Sequence, residues 1–114
     1  MIHPNMATML SVVTTDFNIS PSALQDAVKY SVDRSFNSIS IDGDTSTNDS
    51  YVVLANGLSG NQKVDSTNSK EYLYFRDCLT EVSADLAKKL VRDGEGVTKF
   101  VTVVVEVIYC SLII

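Results

Sequence analysis

Short β-branched runs alternate along this chain with longer stretches of helical period, and that alternation constrains the fold more than any other feature. Met9 to Thr15 (MLSVVTT) is brief and rich in Val and Thr, which suits a buried strand. Asp16 to Ile19 turns the chain, and Ser20-Pro21 follows. A serine caps a helix well, and a proline at the first helical position loses nothing by lacking an N–H. Leu24, Val28, Val32 and Phe36 then recur at helical spacing with Ala27 beside them, which predicts a helix from about Pro21 to Phe36. Tyr51 to Ala55 (YVVLA) reads as a second buried strand, closed by Asn56-Gly57. Leu58 to Ser69 is a loop of Gly, Asn, Ser and Thr, expected to be exposed and tolerant of insertion. Asn68 with Glu71 resembles a capping box that opens a longer helix. Tyr72, Phe75, Leu79, Val82, Leu86 and Leu90 keep its period to Arg92, and Gly94 offers a left-handed stop. Val97 to Tyr109 is a final extended stretch.

The resulting order, β-α-β-α-β, predicts an α/β fold with no internal repeat and no linker. Residues 1–114 form a single domain or part of one. Each one-sided helix and each sheet face needs a covering layer. With 45% of residues hydrophobic and so few elements, the chain reads as a piece that packs against neighbours.

Charge and cysteine usage narrow the function. Nine Lys+Arg against 14 Asp+Glu give a formal net charge of −5, with no basic run or aromatic-basic stripe. That balance argues against nucleic acid, whose phosphates call for clustered cations. Cys78 and Cys110 form no CxxC pair and no multi-bridge framework, so a reduced intracellular compartment is the simpler reading. Residues 1–15 lack a basic start followed by an apolar core, so no secretory signal is expected. The apolar tract from Phe100 to Ile114 contains Glu106 and is shorter than the roughly 20 residues a membrane helix needs.

Three segments offer chemistry. In MIHPNMATML, Thr8 follows the small Ala7 directly before the first strand, so its hydroxyl would stand at a strand mouth. Threonine is a weak nucleophile without a neighbouring base. Cutting the chain before it frees an α-amine of pKa roughly 7.7 to 8.0, able to take the hydroxyl proton. On these residues alone, a strand-leading threonine of good β-propensity is the simpler reading. In DGDTSTND, residues Asp42, Asp44, Ser46 and Asn48 alternate as calcium ligands do, which admits a small cation-binding module using the Asp42–Asp49 loop. An EF-hand, however, wants Gly and Glu where Thr47 and Val53 stand, so an Asp/Ser/Asn-rich turn bonded to its own backbone is favoured. In Arg92-Asp93-Gly94-Glu95-Gly96, two glycines leave the Glu95 carboxylate on a tight backbone, able to hold an ammonium or simply to be solvated. His3 has no partner at metal or triad spacing, and neither cysteine has a basic neighbour to lower its pKa. No metal site is expected.

Read together, MIHPNMATML, SFNSISIDGDTSTND, VVLANG and LVRDGEGVTKFVTV resemble the ornithine acetyltransferase family of arginine biosynthesis, whose bifunctional members are glutamate N-acetyltransferase and amino-acid acetyltransferase in one. The order and spacing of these motifs across residues 1 to about 106 carry the resemblance. It implies a layered α-β-β-α fold, of which this chain would supply a partial β-α-β-α-β piece. It implies self-cleavage between Ala7 and Thr8, with Thr8 as the nucleophile that carries acetyl from N2-acetylornithine to glutamate. It implies that Glu95 contacts substrate and that the aspartate-rich stretch is scaffolding. No cofactor is implied, although bifunctional members take acetyl-CoA as co-substrate.

The same resemblance divides the chain into residues 1–7, ending the α-chain portion, residues 8–106, beginning the β-chain portion, and a divergent tail at 107–114. A Thr-Gly oxyanion hole and a substrate-binding Lys of the family fall in an α-chain portion not represented here, and its C-terminal Asn and Thr substrate contacts fall in a later part of the β chain. The implied partners are that portion and a second αβ unit, and the isolated chain is expected to be inactive. A non-catalytic truncated product is the alternative. Fungal members of the family are mitochondrial matrix proteins and bacterial ones cytoplasmic. The Ser/Asn-rich loop at Leu58 to Ser69 favours the mitochondrial matrix.

Overall fold

The computed structural model describes residues 9–41, 48–94 and 96–106. Strand β1 (Leu10–Thr15) leads into helix α1 (Pro21–Asp33), a single 3-10 turn (Phe36–Ser38), strand β2 (Ser50–Ala55) and helix α2 (Lys70–Arg92). The two strands pair in parallel, from Leu10 opposite Ser50 to Thr15 opposite Ala55. Parallel neighbours need a crossover connection, and α1 supplies it. The fold is α/β, as the alternation of periods predicts.

Both helices lie on one side of the sheet. Ser20 takes the extended backbone of an N-cap and accepts from the Ala23 N–H, with Pro21 following it. Along α1 the buried positions are Ala23, Ala27 and Ser31, one residue away from the Leu24-Val28-Val32 line the sequence suggests, which sits half-buried beside them. Small side chains there face Tyr72, Leu79, Ser83 and Ala87 of α2, so the two helices approach closely. Ser31 and Thr80 hydroxyls meet at 3.1 Å across the seam. Phe17 stacks on Phe75 with ring centroids 4.9 Å apart, and Phe36 packs against Tyr51 at 5.1 Å.

Several boundaries differ from the sequence reading. Helix α1 ends at Asp33 rather than Phe36. Beyond it, the Ser35 hydroxyl donates to the Ser31 carbonyl at 2.6 Å and the Ser38 hydroxyl to the Asp33 carbonyl at 2.9 Å. Such side-chain bonds compete with the helical ladder. The N-cap of α2 is Ser69, not Asn68, and its hydroxyl accepts from the Tyr72 N–H at 3.1 Å. Asn68 belongs instead to the turn that starts at Ser66. The left-handed glycine after α2 is Gly96, at φ +72°, not Gly94. Gly94 answers a different need, because a methyl group there would come within 2.7 Å of Val97 Cγ2.

The loop after β2 is less free than its composition suggests. Val64 is buried, pairs in parallel with Ile19, and accepts from the Ser20 N–H at 2.9 Å. The Asn18 N–H donates to Asn61 Oδ1 at 2.9 Å, while Asn61 Nδ2 donates back to the Asn18 carbonyl at 3.1 Å. Residues 61–64 are therefore stitched to the end of β1, and an insertion there would break the stitch.

The strands are half-buried rather than buried. Ser11, Val13, Thr15, Tyr51, Val53 and Ala55 turn towards the helices, whereas Leu10 and Val12 on the other face are 73% and 62% exposed. Val52 and Leu54 stand beside them, and among the described residues nothing covers that face. The third strand is not formed either. Residues 97–106 form no strand among the described residues, with Val101, Val103, Val104 and Val105 exposed, because β-branched composition gives a strand only where a ladder partner stands beside it. The stretch from 107 to Tyr109 lies outside the described residues.

Candidate functional site

The site is approached through its neighbours, since Ala7, Thr8 and Glu95 lie outside the described residues, as do His3, Cys110 and the loop from Asp42 to Thr47. Met9, directly after Thr8, is held at both of its backbone polar groups. Its N–H donates to Asp49 Oδ1 at 2.9 Å, and its carbonyl accepts from the Ser50 N–H at 2.8 Å. Both contacts extend the parallel register one step beyond Leu10 and Ser50. The mouth of β1 is thereby clamped to the mouth of β2.

A cavity of about 300 Å³ opens at this mouth. Met9, Phe36, Ile41, Asp49, Tyr51 and Leu90 contribute to its walls. Leu90 belongs to the last turn of α2, three residues before Asp93 caps the helix. Gly94 lies close to the same wall, where a methyl group would sit 3.7 Å from Ile41 Cγ2. Met9, the residue after Thr8 in sequence, thus lines the cavity, and Gly94, the residue before Glu95, stands behind its Ile41 wall. Burial raises the Tyr51 phenol above its ordinary pKa, against the opposing hydrogen bond with Ser83 at 2.7 Å. Among the described residues the cavity thus presents the Tyr51 phenol and the Asp49 carboxylate, with Asn37 and Ser40 as further polar lining between apolar side chains.

Other sequence candidates stand apart. Cys78 is exposed on α2. Among the described residues no group of His, Cys, Asp and Glu is arranged to hold a metal ion, and no helix is long and apolar enough to cross a membrane. Of the aspartate-rich loop, Asp49 is described, and its carboxylate faces a backbone N–H. Asp49 was read from sequence only as part of a turn. The signal for its contact lay in the two strand runs, because aligning 10–15 with 50–55 in parallel puts position 49 beside position 9.

An α/β unit with two helices on one sheet face and a cavity at the mouth of its parallel strands is the class that fold and site define. The sequence matches the ArgJ family over residues 1–108, and the chain belongs to that family. It is 58% identical over 106 residues to the mitochondrial arginine biosynthesis bifunctional protein ArgJ of Dictyostelium discoideum, covering 93% of this chain and 24% of that protein. It is 59% identical over 103 residues to the protein of the same name from Verticillium alfalfae, covering 90% of this chain and 22% of that protein. The crystal structure of arginine biosynthesis bifunctional protein ArgJ from Bacillus halodurans superposes with a TM-score of 0.75 at 47% identity, over 81% of this chain and 43% of that one. The chain thus spans about a quarter of the length of the curated relatives it matches.

Proposed function

We propose that this chain supplies the nucleophile-bearing segment of an arginine-biosynthesis acetyltransferase that moves acetyl from N2-acetylornithine to glutamate. The observation that carries the reading is the family match across residues 1–108, which includes the Ala7-Thr8 step and Glu95 within one continuous alignment. In this reading the bond between Ala7 and Thr8 is cut, leaving Thr8 with a free α-amine. The amine accepts the hydroxyl proton as Thr8 Oγ attacks the acetyl carbonyl carbon of acetylornithine. The tetrahedral intermediate collapses, the proton passes to the departing ornithine nitrogen, and acetyl remains as an ester on Thr8. The amine of glutamate then attacks that ester, giving N-acetylglutamate and restoring the hydroxyl.

Glu95 serves in this scheme as a carboxylate that holds a substrate ammonium near the end of α2. No resident metal or cofactor takes part, and acetyl-CoA is an alternative acetyl donor for a bifunctional enzyme. The remaining portions of the enzyme, including oxyanion donors and a second αβ unit, come from outside these 114 residues. Oxyanion donors are worth about 10²- to 10³-fold each in such chemistry, so the complete assembly is the active species. The mitochondrial matrix is the compartment, in line with the names of the Dictyostelium and Verticillium relatives.

The test uses a full-length enzyme of the family carrying this segment. The parent yields a species beginning at Thr8 by mass spectrometry, and Thr8→Ala stays uncut and unlabelled by radioactive acetylornithine. Cleavage or acetyl labelling of Thr8→Ala would overturn the nucleophile assignment.

A further inference from the structure

We propose that the cavity between the 3-10 turn, α2 and residues 100–103 binds the phosphate group of a small organic phosphate, with Arg34 and Lys88 as its cations. The cavity holds about 210 Å³. It opens beyond the close helix seam, where Ala84 and Ala87 of α2 carry too little side chain to fill the space beside Ser38 and Ile39. The chemistry of the lining selects the ligand. Arg34 and Lys88 are cations, Ser38, Ser40 and Thr102 carry hydroxyls, and the described lining residues include no carboxylate. In a chain of net charge −5, two cations around one hollow without a counter-ion run against the average. The ammonium of an amino acid would find no anionic partner there, so the ligand is an anion. Two cations match the charge of about −1.5 to −2 on a phosphate ester. Val91 and Phe100 offer apolar surface to its organic part.

Arg34 is held ready for this role. Its guanidinium lies over the Tyr30 ring, 3.5 Å from the centroid, and Nη1 donates to the Tyr30 carbonyl at 3.2 Å. Stacking fixes the plane of the fork and leaves its other N–H groups to donate, the geometry that suits phosphate. Arg76 lies against the same ring at 4.1 Å but is paired with Asp77, whereas Arg34 has no ion pair among the described residues. Lys88 has none there either, although the adjacent Lys89 meets Asp85 at 2.7 Å. Lys88 and Arg92 stand four residues apart on α2, a spacing at which like charges weaken a helix. Helix ends favour cations, which accounts for Arg34 closing α1 and for Lys89 and Arg92 in the last turn of α2. Lys88 precedes that turn, and a bound anion offsets the repulsion it otherwise carries.

The experiment measures radiolabelled inorganic phosphate by equilibrium dialysis against a full-length enzyme of the family carrying this segment. The parent should show saturable binding. Arg34→Gln and Lys88→Gln should each raise Kd about 10-fold, as expected for losing one charge-assisted contact. Lys88 is exposed on a helix, and Gln keeps the helix propensity, so folding of that variant is not at stake. Lys89→Gln, which removes an equal charge one residue away, should bind as the parent does. Succinate, a dicarboxylate of similar charge, should displace phosphate at least about 10-fold less well than unlabelled phosphate does. Absence of saturable binding, parental Kd in Lys88→Gln, or an equal loss in Lys89→Gln would overturn the site. Equal displacement by succinate would overturn phosphate as the group it takes. Binding is read without acetyl transfer, so this outcome is independent of the nucleophile reading.

Discussion

The two faces of the β1–β2 sheet are built from similar residues and meet opposite fates. Towards the helices, Val13, Val53 and Tyr51 are half-buried against α1 and α2. On the other side, Leu10, Val12, Val52 and Leu54 are at least as apolar and stand in solvent. A strand with one wet face alternates apolar and polar residues, whereas a strand covered on both faces reads as a continuous apolar run. Here YVVLA is of the second kind, and MLSVVTT, despite Ser11, Thr14 and Thr15, places Leu10 and Val12 on the face away from the helices. The strands are written for cover on two sides, and the described residues provide it on one. A two-stranded sheet has little stability of its own, so the helical face carries the fold.

That asymmetry is most sharply tested on the closed side. Leu79 is buried in the seam between the helices. Leu79→Ala is expected to cost about 2 to 5 kcal/mol, through lost burial and the cavity left behind. Urea unfolding of the 114-residue chain measures it. A loss below about 1 kcal/mol, the size of an ordinary substitution, would break the claim that this face holds the chain together.

The same contrast explains how far the sequence could be read. Elements whose partners lie nearby in the chain were legible: Ser20-Pro21 started α1, and the Tyr72-to-Leu90 period gave α2 its full run to Arg92. Features set by distant partners were not. The seam of Ala23, Ala27 and Ser31 is hidden in a hydropathy pattern that favours Leu24, Val28 and Val32, because small residues are chosen for how closely α2 approaches. Val64 looks like one apolar residue in a polar loop until its bridge to Ile19 is seen. The stretch at 97–106 has strand composition and no described strand to pair with. At the candidate site, the sequence pointed to Thr8 and Glu95 through motif resemblance, but the Asp49 clamp depends on strand register, which only pairing fixes.

A second test uses titration, which reaches the closed face alone. Leu10, Val12, Thr14, Ser50, Val52 and Leu54 have no titratable side chain. Tyr72, 2% exposed in the helix seam, has its phenol pushed up to about 12, first by burial and then by Asp26, to which it donates a hydrogen bond. The unfolded chain releases that proton near pH 10. Between pH 10 and about 12 the unfolded state loses the proton while the folded state keeps it, so stability falls as pH rises. The contribution is whole below pH 10 and gone above about 12. Urea midpoints across this window should decline in the parent and decline less in Tyr72→Phe, with Tyr51, raised by burial, and Tyr74, raised by its hydrogen bond with Cys78, contributing to the remainder. Equal slopes in parent and variant would place the alkaline sensitivity elsewhere.

The smallest effect is expected on the open face, and it divides the two ways of reading that face. Val12 is 62% exposed, so in the isolated chain Val12→Thr exchanges a solvated methyl for a solvated hydroxyl. Surface changes of this kind stay within about 0.5 kcal/mol. Placed in a full-length enzyme of the family, the same substitution meets whatever the two-sided apolar strand is written to receive. A hydroxyl buried there without a partner costs about 1 to 3 kcal/mol. The expected result is therefore a variant that is neutral in the short chain and destabilising in the long one, read from urea midpoints in each. Neutrality in both would mean that the face is solvated in the complete protein too, and that the apolar residues of β1 and β2 on it reflect strand propensity rather than a second layer. A cost in both would mean that the short chain already covers Val12, contrary to its exposure here.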